Sequence, residues 1–161
     1  MARLDSASGR GVQRVALLVA TLGGVGRAPF APGTVASAVT AVALGLAAPS
    51  RPTVTVFLLA VIVLGTWAAQ GAERLLGGKD PGAIVIDEVA GMTLSVVALP
   101  LTAGVLLAGF ALFRVFDVVK PYPANALQRL PGGIGVMIDD LVAGLYALLV
   151  LLFARALLGW P

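Results

Sequence analysis

The uncharged stretch VAGMTLSVVALPLTAGVLLAGFALF, residues 89–113, decides how this chain is predicted to fold. A membrane-spanning helix needs about 20 consecutive apolar residues, so the stretch is long enough for one span. However, Pro100 cannot donate a backbone hydrogen bond, and the segment LPLTAG around it is typical of a turn. The sequence therefore predicts two shorter helices, at 84–99 and 105–119, that form a hairpin.

The hairpin brings two groups of charged residues to one side of the molecule, called the shared side below. Asp87 and Glu88 lie near the start of its first helix, and Arg114, Asp117 and Lys120 lie at the end of its second. Because the two helices of a hairpin run in opposite directions, both groups are expected at the same end of the bundle.

The remaining apolar segments are also predicted to be helices. The segments 34–48 and 53–76 are joined by the turn APSRPT, which returns the chain to the shared side. The last helix, 138–158, is expected to begin on that side, and a further short helix is predicted at 15–25. Most of these helices have about 15 to 20 residues, which is short for a full membrane span.

The composition is that of a membrane protein. Of the 161 residues, 59% are hydrophobic and 12% are charged, whereas an ordinary soluble domain has about 25% charged residues. We predict an all-α fold, a polytopic membrane helical bundle of about five to six short helices, with a soluble but unusually apolar bundle as the alternative. No linker divides the chain, so residues 15–158 are predicted to form one membrane-embedded domain after a basic tail at 1–14.

The basic residues are unevenly divided between the two ends of the predicted bundle. The far end has Arg51 and Arg155, whereas the shared side has Arg27, Arg74, Lys79, Arg114, Lys120 and Arg129. Because cytoplasmic loops of membrane proteins carry an excess of lysine and arginine, the shared side is predicted to face the cytoplasm.

The chain contains no cysteine and no histidine, which excludes several kinds of chemistry. A disulfide, a thiolate nucleophile, an imidazole base and a metal site with histidine or cysteine ligands are all impossible. The net charge of +3 does not indicate nucleic-acid binding, because the basic residues are scattered and have no aromatic residues between them. Anionic lipid is the expected partner.

The acidic residues outside the tail lie mainly in three stretches, KDPGAIVIDEVAGM (79–92), FRVFDVVK (113–120) and GGIGVMIDDLVAG (132–144). Ionised side chains at a bilayer cost a few kcal/mol each unless they are paired or hydrated. If these carboxylates converge, a hard divalent cation such as Mg²⁺, Mn²⁺ or Ca²⁺ is expected among them. The candidate carboxylates are Asp80, Asp87, Glu88, Asp117, Asp139 and Asp140.

The spacing of the charged residues in FRVFDVVK has two interpretations. On a helix, Arg114, Asp117 and Lys120 fall within one arc of about 120°, so all three can face one site. The alternative is a salt bridge between Arg114 and Asp117 that merely neutralises both residues.

Each adjacent acidic pair, Asp87 with Glu88 and Asp139 with Asp140, is predicted to lie at or near a helix start, where the helix dipole favours carboxylates. One member of each pair is assigned to the site and the other is left as a cap or a supporting residue. The glycine-rich segment GGIGVMIDD before the last helix is predicted to be a flexible loop.

The loop GRAPFAPGTVAS, residues 26–37, is predicted to bind phosphate. It contains Arg27, Thr34 and Ser37 and leads into a helix, whose first N–H groups are free to bind an anion. It lacks the glycine-lysine-serine pattern of a nucleotide-binding P-loop, so nucleotide binding is not indicated.

The four motifs GRAPFAPGTVAS, DPGAIVIDEVAGM, FRVFDVVKPYPAN and GGIGVMIDDLVAG resemble those of the phosphatidylglycerophosphatase A family. The resemblance covers roughly residues 20–145, with one departure at Ala36, where a glycine is expected before the serine. It implies a bacterial, Mg²⁺-dependent membrane enzyme. Together with the helix pattern and the distribution of basic residues, we expect a multi-pass protein of the bacterial inner membrane whose active site faces the cytoplasm. Such an enzyme removes the terminal phosphate of phosphatidylglycerophosphate, a phospholipid substrate, and yields phosphatidylglycerol.

The resemblance also implies roles for individual residues. The expected catalytic residues are Asp87, Glu88, Asp117, Asp139 and Asp140, of which Asp87, Glu88, Asp139 and Asp140 are the expected metal ligands. From the residues themselves, and not from the resemblance, the residues expected to bind the substrate phosphate are Arg27, Thr34, Ser37, Arg114 and Lys120. The composition requires water or a carboxylate to attack phosphorus, and both alternatives stay open.

Two rival functions use similar residues. A small cation-coupled transporter, or a cation-binding membrane protein, would place its charged residues at mid-bilayer depth, whereas here they are predicted at helix ends. A lipid-linked phosphotransferase would need one long helical pattern beginning D-G-x-x-A-R, and the chain has none.

Overall fold

The computed structural model is all-helical over the residues it describes, which are 2–78 and 81–159, with side chains described from Gly11 onward. Lys79 and Asp80, which were predicted on the shared side, lie outside the described residues, as do the side chains of most of the basic tail. One 3₁₀ segment, Leu22–Arg27, accompanies the α-helices. These are α1 (Ala2–Ala20), α2 (Pro32–Ala47), α3 (Arg51–Leu76), α4 (Ile86–Val96), α5 (Ala103–Val119), α6 (Ala124–Leu127) and α7 (Gly132–Leu158).

The predicted hairpin is confirmed. Helix α4 ends at Val96 and α5 begins at Ala103, with Pro100 between them. The side chain of Thr102 caps α5 by accepting a hydrogen bond from the backbone N–H of Val105 at 3.3 Å. An N-terminal cap of this kind satisfies a backbone donor that the helix leaves free.

The turn between α2 and α3 is built in a similar way. Ser50 lies before α3, and its hydroxyl accepts a hydrogen bond from the backbone N–H of Thr53 at 3.4 Å. A proline in the first turn is tolerated because no hydrogen bond is lost there. The helices predicted at 34–48 and 53–76 are therefore present, each with bounds shifted by a few residues.

Two helices are longer than predicted. Helix α3 has 26 residues and α7 has 27, and apolar windows within them have mean hydropathies of 2.0 and 2.4. Only 33% and 28% of these windows are buried, unlike the core helix of a soluble protein. Both helices are thus long and apolar enough to cross a membrane.

The prediction of a flexible glycine-rich loop is wrong, because its residues form the first turns of α7. Gly133 lies against α3 so closely that a Cβ atom there would be 2.0 Å from the carbonyl oxygen of Thr66. Its backbone N–H donates a hydrogen bond to Oε1 of Gln70 at 3.1 Å. Asp139 and Asp140 consequently lie about two turns inside α7, so neither of them caps it.

Helix α4 is the central helix, since nine of its eleven residues are buried. It crosses α7 at a point where Gly91 and Gly144 meet, and a Cβ atom at Gly144 would lie 2.4 Å from the carbonyl oxygen of Gly91. These glycines follow Asp87 and Asp140 by four residues, or about one helical turn. The close backbone contact therefore brings the two acidic residues together.

Candidate active site

Five carboxylates converge at the end of the bundle where α4 and α7 meet the last turn of α5. Of the five, Glu88 is partly buried and the others are buried. They are called the acidic cluster below and comprise Asp87, Glu88, Asp117, Asp139 and Asp140. The sequence-based expectation that these acids meet in space agrees with this geometry.

Three members of the acidic cluster form a group suited to a metal ion. Asp87 and Glu88 lie in the first turn of α4, and Asp140 faces them from α7. Each offers a carboxylate oxygen, and these oxygens lie within 4.8 Å of one another. Carboxylate oxygens without histidine or cysteine suit hard cations such as Mg²⁺ or Ca²⁺.

The hydrogen bonding of this group supports the same conclusion. Oε2 of Glu88 and Oδ2 of Asp140 are buried, and neither has a hydrogen-bond partner among the described residues. A buried polar atom without a partner costs about 1–3 kcal/mol, and more when it is charged. A bound cation would remove that cost, so the residues present fit a metal ion.

Two basic side chains from the end of α5 pair with the other carboxylates. Nη1 of Arg114 lies 2.7 Å from Oδ2 of Asp117, so the intrahelical salt bridge that was the alternative interpretation is present. It is not an isolated pair, since Asp117 and Asp140 are close enough for a side-chain hydrogen bond. Nζ of Lys120 lies 3.9 Å from Oδ1 of Asp117 and also forms a short hydrogen-bonded ion pair with Asp139 of α7.

Lys120 is held in an unusual backbone conformation. It has φ 46° and ψ 60° and caps α5, with its backbone N–H donating to the carbonyl of Phe116 at 2.8 Å. Left-handed conformations are uncommon for residues other than glycine. Here the conformation ends the helix just before Pro121 while the ammonium group remains beside the acidic cluster.

The electrostatics of Lys120 follow from its neighbours. Burial lowers the pKa of the ammonium group, but the hydrogen bond that it donates to Asp139 and the negative charges of Asp139, Asp140 and Asp117 outweigh burial and raise this pKa above the ordinary lysine value. Lys120 therefore stays protonated throughout the neutral range. It provides a positive charge next to the group formed by Asp87, Glu88 and Asp140.

The start of α2 completes the site, through a residue that was not predicted. A Cβ atom at Gly33 would lie 1.9 Å from Oε1 of Glu88 and 3.3 Å from Nη1 of Arg114. The missing side chain of Gly33 lets the first turn of α2 approach both charged side chains as they are placed here. The sequence offered one signal, since Gly33 lies within the motif GRAPFAPGTVAS, but the motif does not reveal which residue it touches.

The other predicted phosphate-binding residues occupy different environments. Thr34 is partly buried in the first turn of α2, next to Gly33, and Arg27 is exposed at the end of the 3₁₀ segment. Ser37 is fully buried, and its hydroxyl donates a hydrogen bond to the carbonyl of Gly33 at 2.8 Å. Its placement indicates that it supports the first turn of α2, and it gives no support to phosphate binding by this hydroxyl.

Comparison with known proteins identifies the family. A sequence model described as phosphatidylglycerophosphatase A matches residues 18–155, which include all the residues of the site. The chain belongs to the phosphatidylglycerophosphatase A family. The predicted resemblance is confirmed, and so is the assignment as a phosphoric monoester hydrolase.

Alignments with individual relatives cover different shares of this phosphatidylglycerophosphatase A family member. A Bacteroides thetaiotaomicron protein, provisionally named a phosphatidylinositol-3-phosphatase, is 37% identical over 153 residues, which are 89% of this chain and 95% of that protein. Phosphatidylglycerophosphatase A of Haemophilus influenzae is 39% identical over 97 residues, 59% of this chain and 60% of the relative. The Escherichia coli phosphatidylglycerophosphatase A is 37% identical over 102 residues, 62% of this chain and 58% of the relative. No solved structure matches.

Proposed function

We propose that this chain is a Mg²⁺-dependent phosphatase that hydrolyses the terminal phosphomonoester of phosphatidylglycerophosphate to phosphatidylglycerol and phosphate. The observation that carries the proposal is the group formed by Asp87, Glu88 and Asp140, whose oxygens lie within 4.8 Å of one another. Two basic side chains flank the same group. A site of this kind can hold a cation and a phosphate side by side.

In the proposed mechanism, Asp87, Glu88 and Asp140 would hold the metal. Magnesium, when bound, supplies positive charge that polarises a phosphoryl oxygen and acidifies water. Asp139 faces Lys120, so its contribution is to fix the ammonium group in place. The expectation that Asp139 is itself a metal ligand stays a prediction.

Arg114 and Lys120 are proposed to bind the substrate phosphate. Both are oriented by a carboxylate of the acidic cluster, which limits their motion before the substrate arrives. Charge-assisted hydrogen bonds from such groups to phosphate oxygens strengthen as negative charge develops in the transition state. Thr34, next to Gly33 in the first turn of α2, and Arg27, at the end of the 3₁₀ segment, are proposed to make further phosphate contacts.

The attacking group is either water or a carboxylate. Asp117 does not belong to the group of Asp87, Glu88 and Asp140, but its side chain lies within hydrogen-bonding reach of Asp140. It is therefore proposed as the base or the nucleophile. Rapid quenching of the enzyme with substrate labelled in the terminal phosphate distinguishes these routes. A labelled protein that forms and decays at the turnover rate indicates an aspartyl-phosphate, and the absence of label indicates direct attack by water.

The membrane placement is proposed from the two long apolar helices. With α3 and α7 crossing the bilayer, the acidic cluster would lie near the inner leaflet of the bacterial inner membrane and open to the cytoplasm, because the basic residues are concentrated at that end. The chain has no cysteine, so single cysteines can report the topology. A cysteine replacing the exposed Arg129 should react with an impermeant maleimide from the cytoplasm, and one replacing Arg51 from the opposite side.

Phosphate release from phosphatidylglycerophosphate by the purified protein tests the function. EDTA should abolish release, and added Mg²⁺ should restore it. Asp140→Asn should lower kcat by about a thousandfold or more, since it removes a charged ligand from the metal group. Glu73→Gln, which removes a carboxylate at the end of α3 outside the acidic cluster, is the matched control and should remain active. Activity that resists EDTA would contradict the role of the metal.

A second substrate deserves a parallel assay because of the Bacteroides relative, whose provisional name specifies phosphatidylinositol 3-phosphate. The proposed site recognises a phosphomonoester next to a bound cation, and both lipids carry a phosphomonoester. A kcat/KM for phosphatidylinositol 3-phosphate above that for phosphatidylglycerophosphate would reassign the substrate while leaving the phosphatase chemistry in place.

A further inference from the structure

An apolar groove of about 500 Å³ runs along the surface between α2 and α5. Its α2 wall includes Ala38, Ala41 and Val42, and its α5 wall includes Leu107 and Phe110. The residues that line it have no charged side chain. Its volume lies within the range of about 300–1,000 Å³ that is usual for ligand pockets.

Two of the helices that contribute to the active site, α2 and α5, also form the walls of the groove. From Gly33, which touches Glu88, α2 reaches the groove at Ala38 after five residues, or about 7.5 Å along the helix. From Arg114, α5 reaches it at Phe110 after four residues, or about 6 Å. The groove therefore begins between one and two turns below the charged groups and leads away from them.

The walls of the groove suit a flexible hydrocarbon chain. Small residues on α2, Ala38 and Ala41, make the surface concave, and buried Leu106 contributes from the α5 side. Val42 and Leu107 are exposed, so the groove is open along its length to the surroundings of the bundle. In the proposed membrane placement these surroundings are lipid.

We propose that this groove holds one acyl chain of the phosphomonoester lipid whose phosphate lies at the acidic cluster. This inference rests on the proposed function. Because a bilayer is as apolar as the groove, the groove would add little affinity through the hydrophobic effect. Its contribution is orientation: an acyl chain fixed between α2 and α5 positions the phosphate at Arg114 and the metal ligands.

Filling the groove tests the proposal through activity. Ala38→Phe places a ring where the chain would lie and should lower kcat/KM for a long-chain lipid roughly tenfold, since small misplacements of a reacting group are costly. The same variant should act normally on the deacylated headgroup phosphomonoester, which has no chain to position. Ala111→Phe is the matched control: Ala111 is exposed on α5 outside the groove lining, and both substrates should be unaffected.

A second pair of variants covers the case in which Ala38→Phe fails to fold. Val42→Trp fills the groove from an exposed position, and Val63→Trp makes the same change at an exposed position on α3. Only Val42→Trp should lower kcat/KM for the long-chain lipid. Equal effects of both variants, or equal effects on the long-chain and deacylated substrates, would overturn the proposal.

A binding measurement separates this proposal from the proposed function. Phosphatidic acid with a photoreactive acyl chain should label α2 and α5 around Ala38 and Phe110 more strongly than phosphatidylcholine with the same chain. If the protein hydrolyses no phosphomonoester lipid, the proposed function fails and the labelling alone decides on the groove. Equal labelling by both lipids would indicate ordinary bilayer contact and would overturn the groove proposal. The absence of labelling in a dimer whose second copy covers the groove would overturn it as well.

Discussion

Replacing Gly33 by alanine adds one methyl group at the point where α2 touches the active site. The new Cβ atom would lie 1.9 Å from Oε1 and 2.9 Å from Cδ of Glu88, whereas ordinary contacts begin at 3.4 Å. The carboxylate must therefore retreat by about 1.5 Å. Oε1 lies at the end of a flexible side chain, so Glu88 can move without displacing either helix.

The two consequences of this change differ in size. The cost in folding free energy is expected to be about 1 kcal/mol or less, because the side chain rotates and alanine is favoured over glycine within a helix. The cost in activity is larger, since a displacement of about 1 Å at a reacting centre lowers the rate about a hundredfold. Gly33→Ala should therefore fold normally, hydrolyse lipid phosphate about a hundredfold more slowly and need more Mg²⁺ for half-maximal activity.

The assay is phosphate release in detergent micelles over a Mg²⁺ titration, with thermal unfolding followed by circular dichroism. Gly11→Ala is the matched control, because a Cβ atom at Gly11 of α1 would have nothing within 4 Å. A Gly33→Ala protein that unfolds like the wild type and keeps kcat/KM within about threefold of it would refute the placement of Glu88 in the site.

Three further variants test the rest of the geometry. Gly144→Ala places a Cβ atom 2.4 Å from the carbonyl oxygen of Gly91 and should lower the free energy of unfolding by about 1–3 kcal/mol and remove most of the activity. Unchanged stability would contradict the close crossing of α4 and α7. Lys120→Met leaves the buried Asp139 without its ion pair and should lower the free energy of unfolding by about 2–3 kcal/mol, which is less than for a fully buried pair because Lys120 is partly exposed. Adding Asp139→Asn should recover most of that loss in thermal unfolding. Arg114→Ala should raise KM if the guanidinium binds ground-state phosphate, or lower kcat if its contact strengthens during transfer, so unchanged steady-state kinetics would exclude it from phosphate binding.

The hairpin, the all-helical class and the chemistry excluded by composition could all be predicted from the sequence. Pro100 breaks an apolar run for a local reason, since its ring removes a backbone donor whatever lies nearby. The absence of histidine and cysteine likewise excludes whole classes of mechanism without any coordinates. Even the meeting of distant acids followed from connectivity, because a hairpin returns the chain to the side from which it started.

The glycine-rich segment before Asp139 shows where local reasoning failed. Glycines are typical of loops because they weaken isolated helices. In the folded protein, however, Gly133 lets α7 lie directly against the backbone of α3, and that packing stabilises the helix. Tertiary contact thus outweighed the intrinsic preference of the residue.

The sequence by itself determined that carboxylates and two basic side chains, Arg114 and Lys120, gather at one end of a helical bundle. Only the tertiary structure decided which partner each carboxylate has: Asp140 faces Asp87 and Glu88, while its neighbour Asp139 faces Lys120. The reason is geometric: adjacent residues on a helix point about 100° apart, and what each one meets depends on where the neighbouring helices lie. That position is set by contacts such as Gly91 against Gly144, between residues far apart in the chain.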